Sequence, residues 1–152
     1  MNVTATKEFT WDCAHMLSGH EGLCKNLHGH TYKLEVTVAR DRGDLQPLGP
    51  AEGMVIDFKE LKEVVVHGIV NPLDHATIIF GLSQDPFERA LVQLLLEHDK
   101  KIVILDYRPT AENMVKEFFR LMQFELAEKQ AMYHVVKMRL YETPTSYAEV
   151  TE

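Results

Sequence analysis

Residues 24–38 read Cys-Lys-Asn-Leu-His-Gly-His-Thr-Tyr-Lys-Leu-Glu-Val-Thr-Val, and the period of this stretch decides how the chain folds. From His28 onward the residues alternate strand-fashion: His28, His30, Tyr32, Leu34, Val36 and Val38 share one face, while Lys33, Glu35 and Thr37 share the other. Two histidines one residue apart on an extended backbone point the same way and can close on one ion. Upstream, residues 3–15 alternate as well, with Val3, Ala5, Phe9, Trp11 and Cys13 in one phase and His15 continuing it. If neither strand bulges, His15, His28 and His30 converge from the core-side phase of two strands joined by residues 16–27. Three histidines without a fourth protein ligand are the donor set of a catalytic zinc site that keeps one position open. A closed structural site, Cys13 with the three histidines, is the competing reading. Cys24, four residues before His28, is either an inert small side chain or a thiol activated by a neighbouring metal and imidazoles.

Downstream of Val38, residues 40–53 carry Gly43, Pro47, Gly49, Pro50 and Gly53 and read as a surface excursion. Asp57, three residues before Glu60, caps a helix to about His67, with Phe58, Leu61 and Val65 on one face and Asn71-Pro72 ending it. Asp85-Pro86-Phe87-Glu88 caps a short second helix with Leu91, Leu94 and Leu95 in phase. Ile102 to Leu105 reads as a buried strand. Thr110 caps a longer helix whose stripe is Val115, Phe118, Phe119, Met122 and Leu126. Met132 to Glu142 alternates again, with Val136, Met138 and Leu140 in the apolar phase, and Ser146 to Val150 pairs back as a closing strand. The expectation is an α+β fold with helices on one side of an antiparallel sheet, built as one domain over residues 1–152.

Two further features bear on chemistry. Asp74-His75 is either a cap beside a surface imidazole or a mutually oriented proton relay. Glu142 falls in the apolar phase of its strand, so its carboxylate either finds a partner or turns to solvent at the strand end.

The 152 residues are 45% hydrophobic and 26% charged, an ordinary balance for a globular protein. No apolar run approaches the about 20 residues of a membrane span, and the N-terminus lacks a signal-type segment, so a cytoplasmic protein without a membrane partner is expected. Two cysteines make no disulfide framework. A net charge of −7 without a Lys/Arg block argues against nucleic acid and requires a local positive site for any anionic substrate.

Taken in order, Ala14-His15, Cys24-Lys-Asn-Leu-His28-Gly-His30-Thr-Tyr, Gly53-Met-Val-Ile-Asp57-Phe, Leu73-Asp74-His75, Pro109-Thr110-Ala111-Glu112-Asn113 and Tyr141-Glu142-Thr resemble the 6-pyruvoyltetrahydropterin synthase family, which includes the 6-carboxytetrahydropterin synthases. The resemblance runs from end to end of the chain. It implies a tunnelling fold: a four-stranded antiparallel sheet with helices packed on one side, the sheets of several copies joining into a barrel in a trimer or hexamer. It also implies zinc on His15, His28 and His30, Cys24 as base, Asp74 and His75 as proton relay, Glu142 as anchor of the pterin ring, and Thr110 and Ala111 among the substrate-binding residues. The implied substrate is the small molecule 7,8-dihydroneopterin triphosphate. The short gap between Cys24 and His28 is similar to the branch that makes 6-carboxy-5,6,7,8-tetrahydropterin for queuosine (7-deazaguanine) synthesis, releasing acetaldehyde and triphosphate. The alternatives are the pyruvoyl branch, which only eliminates triphosphate, and a zinc-stabilised pterin-binding module without activity. The chain departs from the family after Leu-Asp-His, where Ala-Thr-Ile-Ile-Phe-Gly-Leu leads into an extra helix and strand up to Tyr107.

Overall fold

In the computed structural model, which describes residues 2–152, the alternating stretches become long strands. β1 (Ala5–His15) and β2 (His28–Arg40) pair antiparallel with Ala5 opposite Val38 and His15 opposite His28. β5 (Tyr133–Thr143) lies against β2, and β6 (Ser146–Thr151) turns back on β5. These are the four antiparallel strands expected. Two short parallel strands, β3 (Thr77–Phe80) and β4 (Ile102–Leu105), extend the sheet beside β1 in the order β4-β3-β1-β2-β5-β6.

One face of the sheet packs on α1 (Phe58–Val65) and α4 (Ala111–Glu128). Trp11 ties the layers together, stacked on Tyr32 at 5.8 Å between ring centroids and edge-on to Phe118 of α4 at 6.2 Å. α4 starts where Thr110 accepts the Asn113 N–H, and it buries Met114, Val115, Phe118, Met122 and Leu126 against the sheet. Among the described residues no helix is long and apolar enough to cross a membrane.

Several local expectations change. Helical backbone does not stop at Asn71-Pro72: a π-turn (Val66–Val70) and one last turn, α2 (Asn71–Leu73), carry it on. The Asn71 N–H bonds back to Val66, so the ladder has already shifted register where Pro72 has no N–H to give. Phe58 is exposed, because Leu61, Val64 and Val65 form the buried face of α1. In β5 the buried phase is Val135, then Met138 and Leu140; Val136 is not in it, because a bulge opposite Thr37 and Val38 inserts one residue and switches the phase.

The two short capping signatures are half right. Asp57 and Asp85 do cap, accepting from the Lys59 and Phe87 N–H groups at 2.8 Å each. Their glutamates do not reach back to the caps: Glu60 accepts from the Tyr133 hydroxyl, and Glu88 turns inward to the Phe80 N–H and Ser18 hydroxyl. α3 (Pro86–Glu97) sits at the sheet's periphery with Leu94 exposed, and β4 is an edge strand with Ile104 exposed rather than the buried strand expected. Thr77–Phe80, too short to show a strand period in the sequence, buries Ile78 and Ile79 completely and joins β4 to the main sheet.

Candidate functional site

The β1–β2 register delivers the histidines. His15 is the last residue of β1, His28 the first of β2, and His30 stands opposite Cys13, so all three rings leave the sheet on the helix side at one end. Their centroids lie 4.6 to 5.1 Å apart. Tyr32, fully buried, forms the floor beneath them. On the neighbouring strand the bulge in β5 sets the phase of Met138, Leu140 and Glu142, which brings the Glu142 carboxylate to the same cluster. Its Oε1 is 3.0 Å from His30 Nε2 and 3.8 Å from His15 Nε2.

The hydrogen bonds assign the ring protons. His15 Nδ1 is 2.8 Å from the Pro109 carbonyl and His28 Nδ1 is 2.7 Å from the Asn26 carbonyl. A carbonyl only accepts, so both Nδ1 atoms carry hydrogen and donate, and both Nε2 atoms present lone pairs. Those two Nε2 atoms face each other at 3.1 Å. His30 Nε2, buried beside them, is near Glu142 without the alignment of a hydrogen bond and has no partner among the described residues.

Facing lone pairs need a cation between them. A proton is disfavoured, because burial, the largest influence, holds His15 and His30 below the ordinary imidazole value of 6.5. A metal ion with tetrahedral metal–nitrogen bonds of about 2.0–2.1 Å separates its nitrogens by about 3.3 Å, close to the spacing seen. His15, His28, His30 and Glu142 each offer an atom, all within 4.8 Å of one another, so the residues present fit a metal. The Nδ1 contacts to backbone carbonyls are the supports that fix ligand tautomers in metal sites.

Cys13 is outside this group. Its side chain is buried in the core, and burial pushes the thiol up to about 12. Cys24 is half-buried in a single 3-10 turn (Leu23–Lys25), outside the four-residue group, with its carbonyl holding the Leu17 N–H at 2.8 Å. Asp74 and His75 follow α2 at the mouth of the site. His75 Nδ1 lies 2.9 Å from Asp74 Oδ1, and His75 adopts a left-handed backbone, φ 59°. The Asp12 backbone N–H, above all, and then His75 hold the Asp74 carboxyl below the usual carboxylate range.

Two adjoining openings give access. One, of about 420 Å³, is lined by Asp12, Gly29, His30, Thr31, His75 and Thr77. The other, of about 580 Å³, is lined by His30, Lys33, Tyr141, Glu142, Thr143 and Pro144, where β2 and β5 part beyond the Lys33–Tyr141 pair. His30 lies in both, with His75 on the wall of the first and Glu142 on the wall of the second. Thr110 and Ala111 line neither opening; they reach the site through Pro109, whose carbonyl braces His15. Sequence reasoning missed Pro109 and Asn26 as supports, because backbone carbonyls leave no signature in residue identity. It also did not anticipate Glu142 beside the imidazoles, which depends on the bulge.

The comparisons with known proteins agree in direction. The family model described as 6-pyruvoyl tetrahydropterin synthase matches residues 4–152. The chain is 39% identical over 147 residues to the 6-carboxy-5,6,7,8-tetrahydropterin synthase of Haemophilus influenzae, covering 97% of each. It is 33% identical over 148 residues to the enzyme of that name from Rickettsia felis, covering 97% of this chain and 99% of the other. Among solved structures, an uncharacterized protein of Wolinella succinogenes superposes with a TM-score of 0.80 at 23% identity, over 99% of this chain and 98% of the other. The 6-pyruvoyl tetrahydropterin synthase of Caenorhabditis elegans does so with 0.65 at 21%, over 99% and 95%. At those identities the structures speak for the fold alone.

Proposed function

We propose, from the premise that this chain belongs to the 6-pyruvoyl tetrahydropterin synthase family, that it is a lyase converting 7,8-dihydroneopterin triphosphate to 6-carboxy-5,6,7,8-tetrahydropterin, with release of acetaldehyde and triphosphate. The observation that carries this reading is the convergence of His15, His28 and His30 with the Glu142 carboxylate, two of the imidazoles facing each other through Nε2 lone pairs, in a chain whose near-full-length relatives bear that enzyme's name. The ion is zinc, held by His15, His28 and His30. When bound, zinc supplies Lewis-acid stabilisation of negative charge developing on the substrate's side-chain oxygens.

The remaining work falls to the chain's own side chains. Cys24 takes a proton from the side chain as general base, and His75 moves one on the other side of the cleft. With Nδ1 turned to Asp74, the imidazole keeps Nε2 for the substrate. Glu142, which lines the larger opening, accepts from the donor edge of the pterin ring, a charge-assisted pairing that fixes the ring over the cluster. Thr110 and Ala111 contribute to substrate binding through the adjoining Pro109, whose carbonyl braces His15.

Residues 1–152 work as one cytoplasmic domain, and several copies join edge to edge as a trimer or hexamer. The edges favour that assembly: β3 meets β1 at the single pair Ala14–Thr77, so most of the outer edge of β1 is unpaired among the described residues, and β6 is the sheet's other end. The product's place is in queuosine synthesis.

Incubation with 7,8-dihydroneopterin triphosphate, followed by mass spectrometry of the pterins and an acetaldehyde assay, tests the reaction. The carboxy product with acetaldehyde is expected. A pyruvoyl product would move the protein to the other branch, and neither product would leave a pterin-binding module.

A further inference from the structure

The segment after Leu73-Asp74-His75, which adds β3, α3 and β4, makes a contact that bears on the relay. Lys101, exposed and immediately before β4, sends its ammonium back to the turn that carries Asp74 and His75. Nζ donates to the Asn71 carbonyl at 2.7 Å and to the Asp74 carbonyl at 2.6 Å. The backbone is tied as well, the Thr77 N–H donating to the Lys101 carbonyl at 3.0 Å just before Thr77 pairs with Ile102. Asn71 and Asp74 lie at the C-terminal end of a helical run, where carbonyls lack intrahelical donors and a cation is favoured.

The turn needs such a clamp. His75 is a non-glycine residue at φ 59°, a backbone state that persists only when neighbours hold it. Its own N–H donates to the Asp12 carbonyl at 2.7 Å, while the Asp12 N–H donates to the Asp74 carboxylate at 3.3 Å. β1 therefore grips the turn from one side, and Lys101 grips it from the other. The hydrogen bonds of the Lys101 ammonium go to these two carbonyls.

We infer that Lys101 is a positioning residue for the Asp74–His75 pair: the extra segment fixes, through this one ammonium, the backbone geometry from which His75 reaches the cleft. This rests on the lyase reading for its consequence in turnover, but the clamp itself is a property of the fold. A positioning role differs from a stabilising one in what it moves. Lys101 is exposed, so Lys101→Met should fold, melt within a few degrees of the parent and keep its metal. kcat should fall by roughly tenfold to a hundredfold, the effect of displacing a reacting group by about an ångström, with KM little changed. Lys101→Arg, which can still donate to two carbonyls, should recover much of the loss.

The test combines steady-state kinetics of the zinc-loaded parent and both variants with amide hydrogen exchange at His75. Exchange at His75 should quicken in Lys101→Met and be restored in Lys101→Arg. If exchange at His75 is unchanged in Lys101→Met, or if the parent turns over and Lys101→Met keeps its kcat, the positioning role is wrong while the lyase reading stands. If the parent itself makes neither pterin product, the lyase reading fails and takes the relay with it, whatever exchange shows.

Discussion

Replacing Cys13 by alanine separates an open three-histidine site from a closed one in which sulfur is the fourth ligand. In the structure Cys13 stands opposite His30 on the neighbouring strand, close in register, but its sulfur is not among the atoms that converge. It is a small apolar filler, 5% exposed in a packed layer. Removing it deletes one buried heavy atom and leaves a small void, a loss of about 1 to 2 kcal/mol. For a chain of this size each kcal/mol moves the melting temperature by about 2–4 °C. Cys13→Ala should therefore melt about 2–8 °C lower at equal protein and zinc concentrations while retaining the parent's metal stoichiometry. Elemental analysis of the purified variant, with a melting curve before and after chelation, reads both quantities. Loss of most of the metal, with a melt that collapses onto that of the chelated parent, would put sulfur in the coordination sphere and refute the open site.

The other residues separate by what each should disturb. Cys24→Ala should keep zinc and bind a non-reactive pterin while turnover drops by about 10² to 10⁴, the typical worth of a general base, as steady-state kinetics will read. Glu142→Ala should weaken pterin binding by roughly 1.5 to 3 kcal/mol in calorimetric titration, the worth of a hydrogen bond to a charged group. Thr110→Ala removes the α4 cap, costing about 1 kcal/mol in chemical denaturation. For the chelated protein, pH has a definite sign: His15 and His30 are held neutral by burial, so below the ordinary value of 6.5 the unfolded chain binds more protons than the folded one. Stability of the metal-free form should thus fall as pH is lowered from 7.5 to 5.5, measured by denaturant titration; a rise over that range would contradict the assignment of buried neutral rings.

How much of this was legible beforehand depended on how local each signal was. Alternation over Ala5–His15 and His28–Arg40 put the three histidines in one phase, and long strands without internal bulges between them kept that phase intact. Val136 shows the opposite case: nothing in Tyr-His-Val-Val-Lys-Met announces the bulge that expels it from the core. Thr77–Phe80 escaped notice because four residues after a tight turn carry no periodicity, and only pairing with distant β4 makes them a strand. Glu60 and Glu88 fitted the capping pattern but found better partners in Tyr133, Ser18 and the Phe80 N–H, contacts set by tertiary packing. The same holds at the site: the convergence of the three histidines was readable, whereas Pro109 and Asn26, which brace His15 and His28, act through backbone carbonyls.

The central claim is that the three facing imidazoles hold the ion that runs the lyase reaction, and reconstitution measures it most directly. Metal is stripped with a chelator, zinc is returned in measured fractions, and bound zinc and 6-carboxytetrahydropterin formation are followed on the same samples. Product formation should be absent without metal and rise in proportion to zinc, reaching its limit at one ion per chain. Full turnover by the metal-free protein, or a fully zinc-loaded protein that stays inert towards 7,8-dihydroneopterin triphosphate, would contradict the account.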